Sequence, residues 1–218
     1  YISEMDEHEE KAIKRYLLER IPVNFGPYTF LVIAAVFWRE MERRAKITGD
    51  HIIPFIEKLR EKSQGSVITH SLGGYVMAHA AHKLIDTKGF NEGKTIQRWW
   101  CMSPALPSNA FTNTGEFKKA PFIAGPSNGE ELWGATTVWY SFSDIVLMLL
   151  YPLANLHPAM GQTGIGIVEN KGYVRDINMT KTTLTTHGPG GAYIERLGPC
   201  IRKFLGTEFD GDNCMLNN

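Results

Sequence analysis

The stretch Ser66-Val-Ile-Thr-His-Ser-Leu-Gly-Gly-Tyr75 constrains the fold more than any other part of the chain. Val67 and Ile68 give a short β-branched run that ends in the polar pair Thr69 and His70. Ser71, Leu72 and two glycines follow, and then an Ala- and Met-rich stretch suited to a buried helix. The pattern predicts a strand, a sharp turn and a helix. A serine on such a turn takes a strained backbone, and the crowded start of the helix needs small residues, which Gly73 and Gly74 supply. The turn lifts the Ser71 hydroxyl out of the sheet. It also aims the first unpaired helix N–H groups, beginning with Leu72, at the space above, where a developing oxyanion is stabilised.

Within this stretch, Thr69-His70-Ser71-Leu72-Gly73 resembles the G-x-S-x-G nucleophile elbow of the α/β-hydrolase superfamily, and His-Ser-Leu-Gly-Gly is similar to its lipase and esterase members. Thr69 stands where that motif has its first glycine, so the elbow is a variant that needs more room between helix and strand. The plainer alternative is a glycine-rich turn capped by a serine.

The 218 residues suffice for one α/β domain with a sizeable core, and a single domain over 1–218 is expected. Residues 9–20 have the spacing of an amphipathic surface helix ended by Pro22. The apolar run Phe30–Trp38 predicts a central parallel strand covered on both faces. Thr48-Gly-Asp50 reads as a helix start, with Ile52, Ile56 and Leu59 on one face. Val76, Met77, Ala80, Ala81 and Leu84 predict a helix packed inside. Strands are expected over Thr95–Met102, Thr136–Phe142, Ile165–Val168 and Tyr173–Ile177, and a last helix carries Ile194, Leu197, Ile201 and Leu205, divided by Pro199. Between these, residues 109–134 break the rhythm. Their Phe111, Phe117, Phe122 and Trp133 suit either a cap over the substrate or an irregular loop held by aromatic anchors. The segment around Leu147–Tyr151 suits core, or an apolar wall for an acyl chain.

This alternation of strands and helices predicts an α/β fold, a doubly wound and mostly parallel sheet flanked by helices, with its chemistry gathered at the strand C-terminal ends. Ser71, Asp144 and His187 all fall at such ends. A serine hydroxyl needs a base, and the base needs an acceptor on its other nitrogen. Among the seven histidines, His187 enters the glycine-rich loop before the last helix, and His157 is its rival. Asp176 competes with Asp144 for the third position, although it lies in mid-strand.

The chain order Ser71, Asp144, His187 is that of the α/β-hydrolase family. From Phe30 to the last helix the chain resembles the second half of that fold, with the first strands and the oxyanion loop not appearing. The resemblance implies an esterase- or lipase-like serine hydrolase acting on a small-molecule or lipid ester through an acyl-enzyme on Ser71. The Leu72 N–H would be one oxyanion donor and the second would lie at or before Tyr1. No cofactor or metal is implied. A catalytically inactive binding module of the same fold, and a peptidase or acyltransferase using the same triad, are the alternatives.

Composition narrows the partners. The 23 basic and 23 acidic residues balance, and no like-charge block suits nucleic acid. Ile145–Ala154, the longest apolar stretch, is too short to span a bilayer and contains Pro152, and no secretory signal is read, so a soluble, cytoplasmic protein is the default expectation. Cys101, Cys200 and Cys214 have no metal-site spacing. Cys101 reads as a buried thiol, and free thiols are expected for Cys200 and Cys214, with a disulfide between them the alternative.

Overall fold

A computed structural model describes residues 29–62, 65–93, 95–125, 135–166 and 173–188. The expected helices at 9–20 and after Gly191, together with Trp133, Cys200 and Cys214, lie outside them.

The first described element corrects the sequence reading. Phe30–Trp38 is not a strand but part of one long helix, α1, Thr29–Lys62, and Thr48-Gly-Asp50 continues that helix instead of starting one. The buried positions show why. Trp38, Glu42, Ala45, Gly49 and Ile56 are buried, with Ile52, Ile53 and Leu59 packed beside them, a spacing of three or four residues that only a helix produces. Glu40 adds exposed pairs to Arg43 at 2.8 Å and Arg44 at 3.0 Å, which hold its carboxyl down at about 2 and support the helix locally. At Gly49 a methyl group would stand 2.9 Å from both the His79 ring and the Val76 carbonyl, so α1 crosses its neighbour with almost no space between backbones.

The strand β1, Ser66–His70, leads through Ser71 into α2, Leu72–Gly93, which breaks at Gly89. Tyr75, Met77, Ala78, Ala80, Ala81, Leu84 and Ile85 are all buried, so α2 is the internal helix that its composition predicts. β2 is Arg98–Met102, shorter at its start than expected, and every residue in it is buried. β3 is Thr136–Tyr140 and β4 is Val174–Asn178. Between β3 and β4 lie α3, Ile145–Asn155, and α4, Met160–Thr163. The one-turn helix α5, Thr180–Thr183, follows β4. Ile165 and Gly166 form no strand.

The four strands are parallel, in the order β1-β2-β3-β4, with His70 level with Met102 and Tyr140 level with Asn178. Parallel strands flanked by helices make this an α/β fold. The sequential order lacks, among the described residues, the reversal that defines a doubly wound sheet. β1 and β4 are the sheet edges among these residues, and Ile68 on β1 is 45% exposed. No described helix is long and apolar enough to cross a membrane.

The described part of the irregular segment, 109–125, contains the 3-10 turn Ala120–Ile123 and packs against α2. Phe111 meets Trp99 at 5.8 Å between ring centroids, Phe117 meets Tyr75 at 5.1 Å, and both phenylalanines are buried in the main core. This part is held to the core by aromatic anchors. Leu147 and Tyr151 are likewise core, in a second cluster with Trp38 and Ala105 that Leu72 packs against, while Met148 and Leu149 are exposed. Cys101 is fully buried, and burial pushes its thiol well up.

Glu42 is a buried charge whose cost is measurable. Its Oε1 accepts from Trp38 Nε1 at 3.0 Å and from Asn155 Nδ2 at 2.7 Å, yet burial still raises its pKa. A raised carboxylate pKa means that the folded chain holds the proton more tightly than the unfolded chain. The stability present below the ordinary carboxylate range is therefore lost as pH rises through the folded-state value. Glu42→Gln keeps an acceptor for both donors and removes the charge, so at pH 7 it is expected to melt roughly 2–4 °C above wild type, the scale of about 1 kcal/mol for a chain this size. Melting curves at pH 7 and pH 4 check this, because the gain must shrink at the lower pH.

Candidate functional site

Ser71 directly follows β1, and its φ of 52° is the left-handed value that such a turn forces on a non-glycine residue. Its backbone is fully engaged: Ser71 N–H donates to the Met102 carbonyl at 3.1 Å, and the Ser71 carbonyl accepts from Gly74 N–H at 3.0 Å and from Ala105 N–H at 3.1 Å. The turn is thus tied to both β2 and the segment that leaves it. Leu72 is the first residue of α2, so its N–H has no acceptor within the helix.

Thr69 fits this elbow for a reason invisible in the motif. Its hydroxyl accepts a 3.0 Å hydrogen bond from the Trp99 indole N–H of β2. At Gly74 a side chain would meet Pro104 Cβ at 2.9 Å but Thr69 Oγ1 only at 3.8 Å, an ordinary contact, so this glycine serves the close approach of Pro104.

Asp144 lies beyond the end of β3 and is 0% exposed. It caps α3, its Oδ1 accepting from Leu147 N–H at 3.1 Å, and this leaves Oδ2 directed at His187. His187 lies beyond β4, is 7% exposed, and places Nδ1 2.7 Å from Asp144 Oδ2 and Nε2 2.9 Å from Ser71 Oγ. A carboxylate only accepts, so Nδ1 carries the ring proton and Nε2 is left to accept from the serine hydroxyl. Three residues 73 and 43 positions apart in sequence, at the ends of three parallel strands, thus form one continuous hydrogen-bonded chain.

The two rival residues lie elsewhere. Asp176 is in mid-strand on β4, level with Val138, and its Oδ2 accepts from Ile165 N–H at 3.2 Å. His157 is exposed in the turn after α3 and lines a polar cavity of about 510 Å³ together with Arg39, Glu42, Lys46, Tyr75 and Glu116.

Sequence reasoning missed the contacts that fix the loops carrying Asp144 and His187. The Ser141 and Ser143 hydroxyls both donate to the Leu184 carbonyl, at 3.2 and 2.5 Å. Phe142 N–H donates to Thr180 Oγ1 at 2.9 Å, and Met179 N–H to the Tyr140 carbonyl at 2.7 Å. Leu184 takes a φ of 51° in doing so. Serines around Asp144 were visible in the sequence, but their acceptor is a backbone atom about forty positions away. His70 is the other residue missed. It adjoins Ser71 in sequence, and its Nε2 lies 2.6 Å from the His187 carbonyl oxygen, a backbone atom 117 positions away.

The arrangement can draw the proton from Ser71 Oγ while Asp144 balances the charge that develops on the imidazole. Comparison with protein-family models, with curated proteins and with solved structures returns no match to this chain.

Proposed function

We propose that the chain is a serine hydrolase of the α/β-hydrolase type that cleaves carboxylic esters through an acyl-enzyme on Ser71. The observation that carries this reading is the hydrogen-bonded chain Ser71–His187–Asp144. Its support comes from three separate strand ends and from the Ser, Asp, His order of that family.

In this reading His187 Nε2 takes the hydroxyl proton as Ser71 Oγ attacks the carbonyl carbon, and the carbonyl π-electrons move onto oxygen. Collapse of the tetrahedral intermediate expels the alcohol, which receives that proton from His187 Nε2. Water then repeats the sequence on the acyl-enzyme and frees the acid. Asp144 Oδ2 holds the Nδ1–H and stabilises the imidazolium. The Leu72 N–H donates to the oxyanion, with a second donor outside the described residues. Thr69, the one departure from the motif, is accommodated by its bond to Trp99 and so does not favour an inactive elbow.

The test is labelling with a fluorophosphonate probe, wild type beside Ser71→Ala, combined with turnover of p-nitrophenyl butyrate. Labelling and turnover in the wild type, with both abolished in Ser71→Ala, are expected. Equal labelling of the two proteins, or of neither, would reject the reading.

A further inference from the structure

We infer that His70 is a positioning residue for the base, donating its Nε2–H to the backbone carbonyl of His187 and thereby holding the imidazole in reach of Ser71 Oγ. The inference rests on the serine hydrolase reading of this site and adds to it a residue outside the triad. His70 Nε2 stands 2.6 Å from the His187 carbonyl oxygen, and the two rings lie 4.8 Å apart between centroids, tilted by 50°. A carbonyl oxygen only accepts, so the proton on this bond belongs to His70.

The need for such a contact follows from the loop. On the N-terminal side of His187 the segment is fixed by Ser141 and Ser143 through the Leu184 carbonyl. On its C-terminal side the His187 carbonyl itself is held by His70. Because His70 also precedes Ser71 directly, the contact joins the backbone of the base to the backbone of the nucleophile. The Ser71–His187 distance then no longer depends on the side-chain bond alone.

The protonation state of His70 is suited to this task. Burial, then the neighbouring His187, lower its pKa to about 4, against the smaller opposing effects of the His187 carbonyl and Asp144. His70 therefore stays neutral over the range in which a histidine base works, with one N–H to donate. A neutral ring also leaves the imidazolium that forms on His187 without a like charge beside it.

Two substitutions separate positioning from packing. His70→Phe keeps a ring and removes the donor, and His70→Gln returns an amide N–H near the place of Nε2. His70→Phe is expected to lower kcat for p-nitrophenyl butyrate by ~10- to 100-fold, the scale of a misplacement of about 1 Å, with KM changed less than about twofold. His70→Gln is expected to recover turnover to within about fivefold of wild type, as a restored donor should. Wild-type kcat in His70→Phe, or equal losses in both variants, would overturn the inference. The ring tautomer, read from 15N chemical shifts in the unmutated chain, tests it even where His70→Phe does not fold. The Nε2–H form is expected, and the Nδ1–H form would overturn it. Absence of Ser71-dependent labelling in the wild type would instead sink the hydrolase reading itself, a result distinct from intact labelling with an indifferent His70→Phe.

Discussion

Replacing Asp144 by Asn is expected to lower kcat on an activated ester by about 10⁴ with little change in KM, the size of loss measured when the carboxylate of a well-studied triad is made an amide. The geometry shows where the loss arises. Asp144 uses Oδ1 for the Leu147 N–H and Oδ2 for His187 Nδ1. An asparagine satisfies the cap with its carbonyl oxygen and must then turn its NH₂ toward His187. That NH₂ donates, so the ring is driven to present a bare Nδ1 to it and to carry its proton on Nε2, where it can no longer accept from Ser71. The fold is preserved while the base is disabled. Asp176→Asn is the matched control, because its oxygen can still accept from Ile165 N–H and it touches neither Ser71 nor His187. Its kcat is expected to stay within about tenfold of wild type, as for a residue that meets no charge in the transition state. Steady-state kinetics of both variants on p-nitrophenyl butyrate decide the matter. A large loss at Asp176 with near-normal turnover at Asp144 would reverse the assignment.

What could be read from the sequence depended on whether the deciding contact was local. The turn around Ser71 was legible because strand, strained serine, glycines and helix start all fall within ten residues. β2, β3 and β4 were legible to within a few residues, since β-branched and aromatic runs bounded by turn residues carry their own signal. α1 was not. A nine-residue apolar run suits a buried strand as well as a helix, and the stripe that distinguishes them passes through Glu42 and Gly49. Glu42 is buried because Asn155, 113 positions away, donates to it, and Gly49 because α2 approaches its backbone. Neither residue type announces burial. Asp50 misled for a related reason: it looked like a helix cap, but its carboxylate accepts from Lys83 Nζ at 2.9 Å and lies 2.9 Å from His79 Nε2, both on α2. At the candidate site the side-chain identities were legible and the supports were not, because Ser141, Ser143 and His70 all act on backbone carbonyls that a motif does not encode.

Gly161→Ala is expected to lower the melting temperature by roughly 5–10 °C, from an overpacking cost of about 2–3 kcal/mol in a chain of this length. Gly161, in α4, lies where the loop after β2, the loop after β3 and α3 meet. A methyl group there would stand 2.4 Å from the Ser103 carbonyl carbon, 2.6 Å from Pro104 N and 2.6 Å from Leu147 Cδ1. Two of these atoms are backbone, so rotating a side chain cannot relieve the clash and the loop itself must move. That loop cannot move alone. Gly161 N–H donates to the Pro104 carbonyl at 2.9 Å and the Gly161 carbonyl accepts from Ser141 N–H at 2.9 Å, while Ala105 N–H holds the Ser71 carbonyl at 3.1 Å. Displacing Ser103 and Pro104 therefore pulls on the Ser71 turn, and displacing Gly161 pulls on the loop that carries Asp144. Activity is expected to fall with stability, by ~10- to 100-fold in kcat at a temperature where the variant is still folded, since small misplacements of reacting groups cost that much. Gly65→Ala is the control: a methyl group there meets nothing within 4 Å, so both melting temperature and kcat should stay at wild-type values. Thermal melts followed by single-turnover kinetics on the folded fraction separate the two effects. A Gly161→Ala variant that melts lower but turns over normally would show that the loops around Ser71 and Asp144 move independently of this contact.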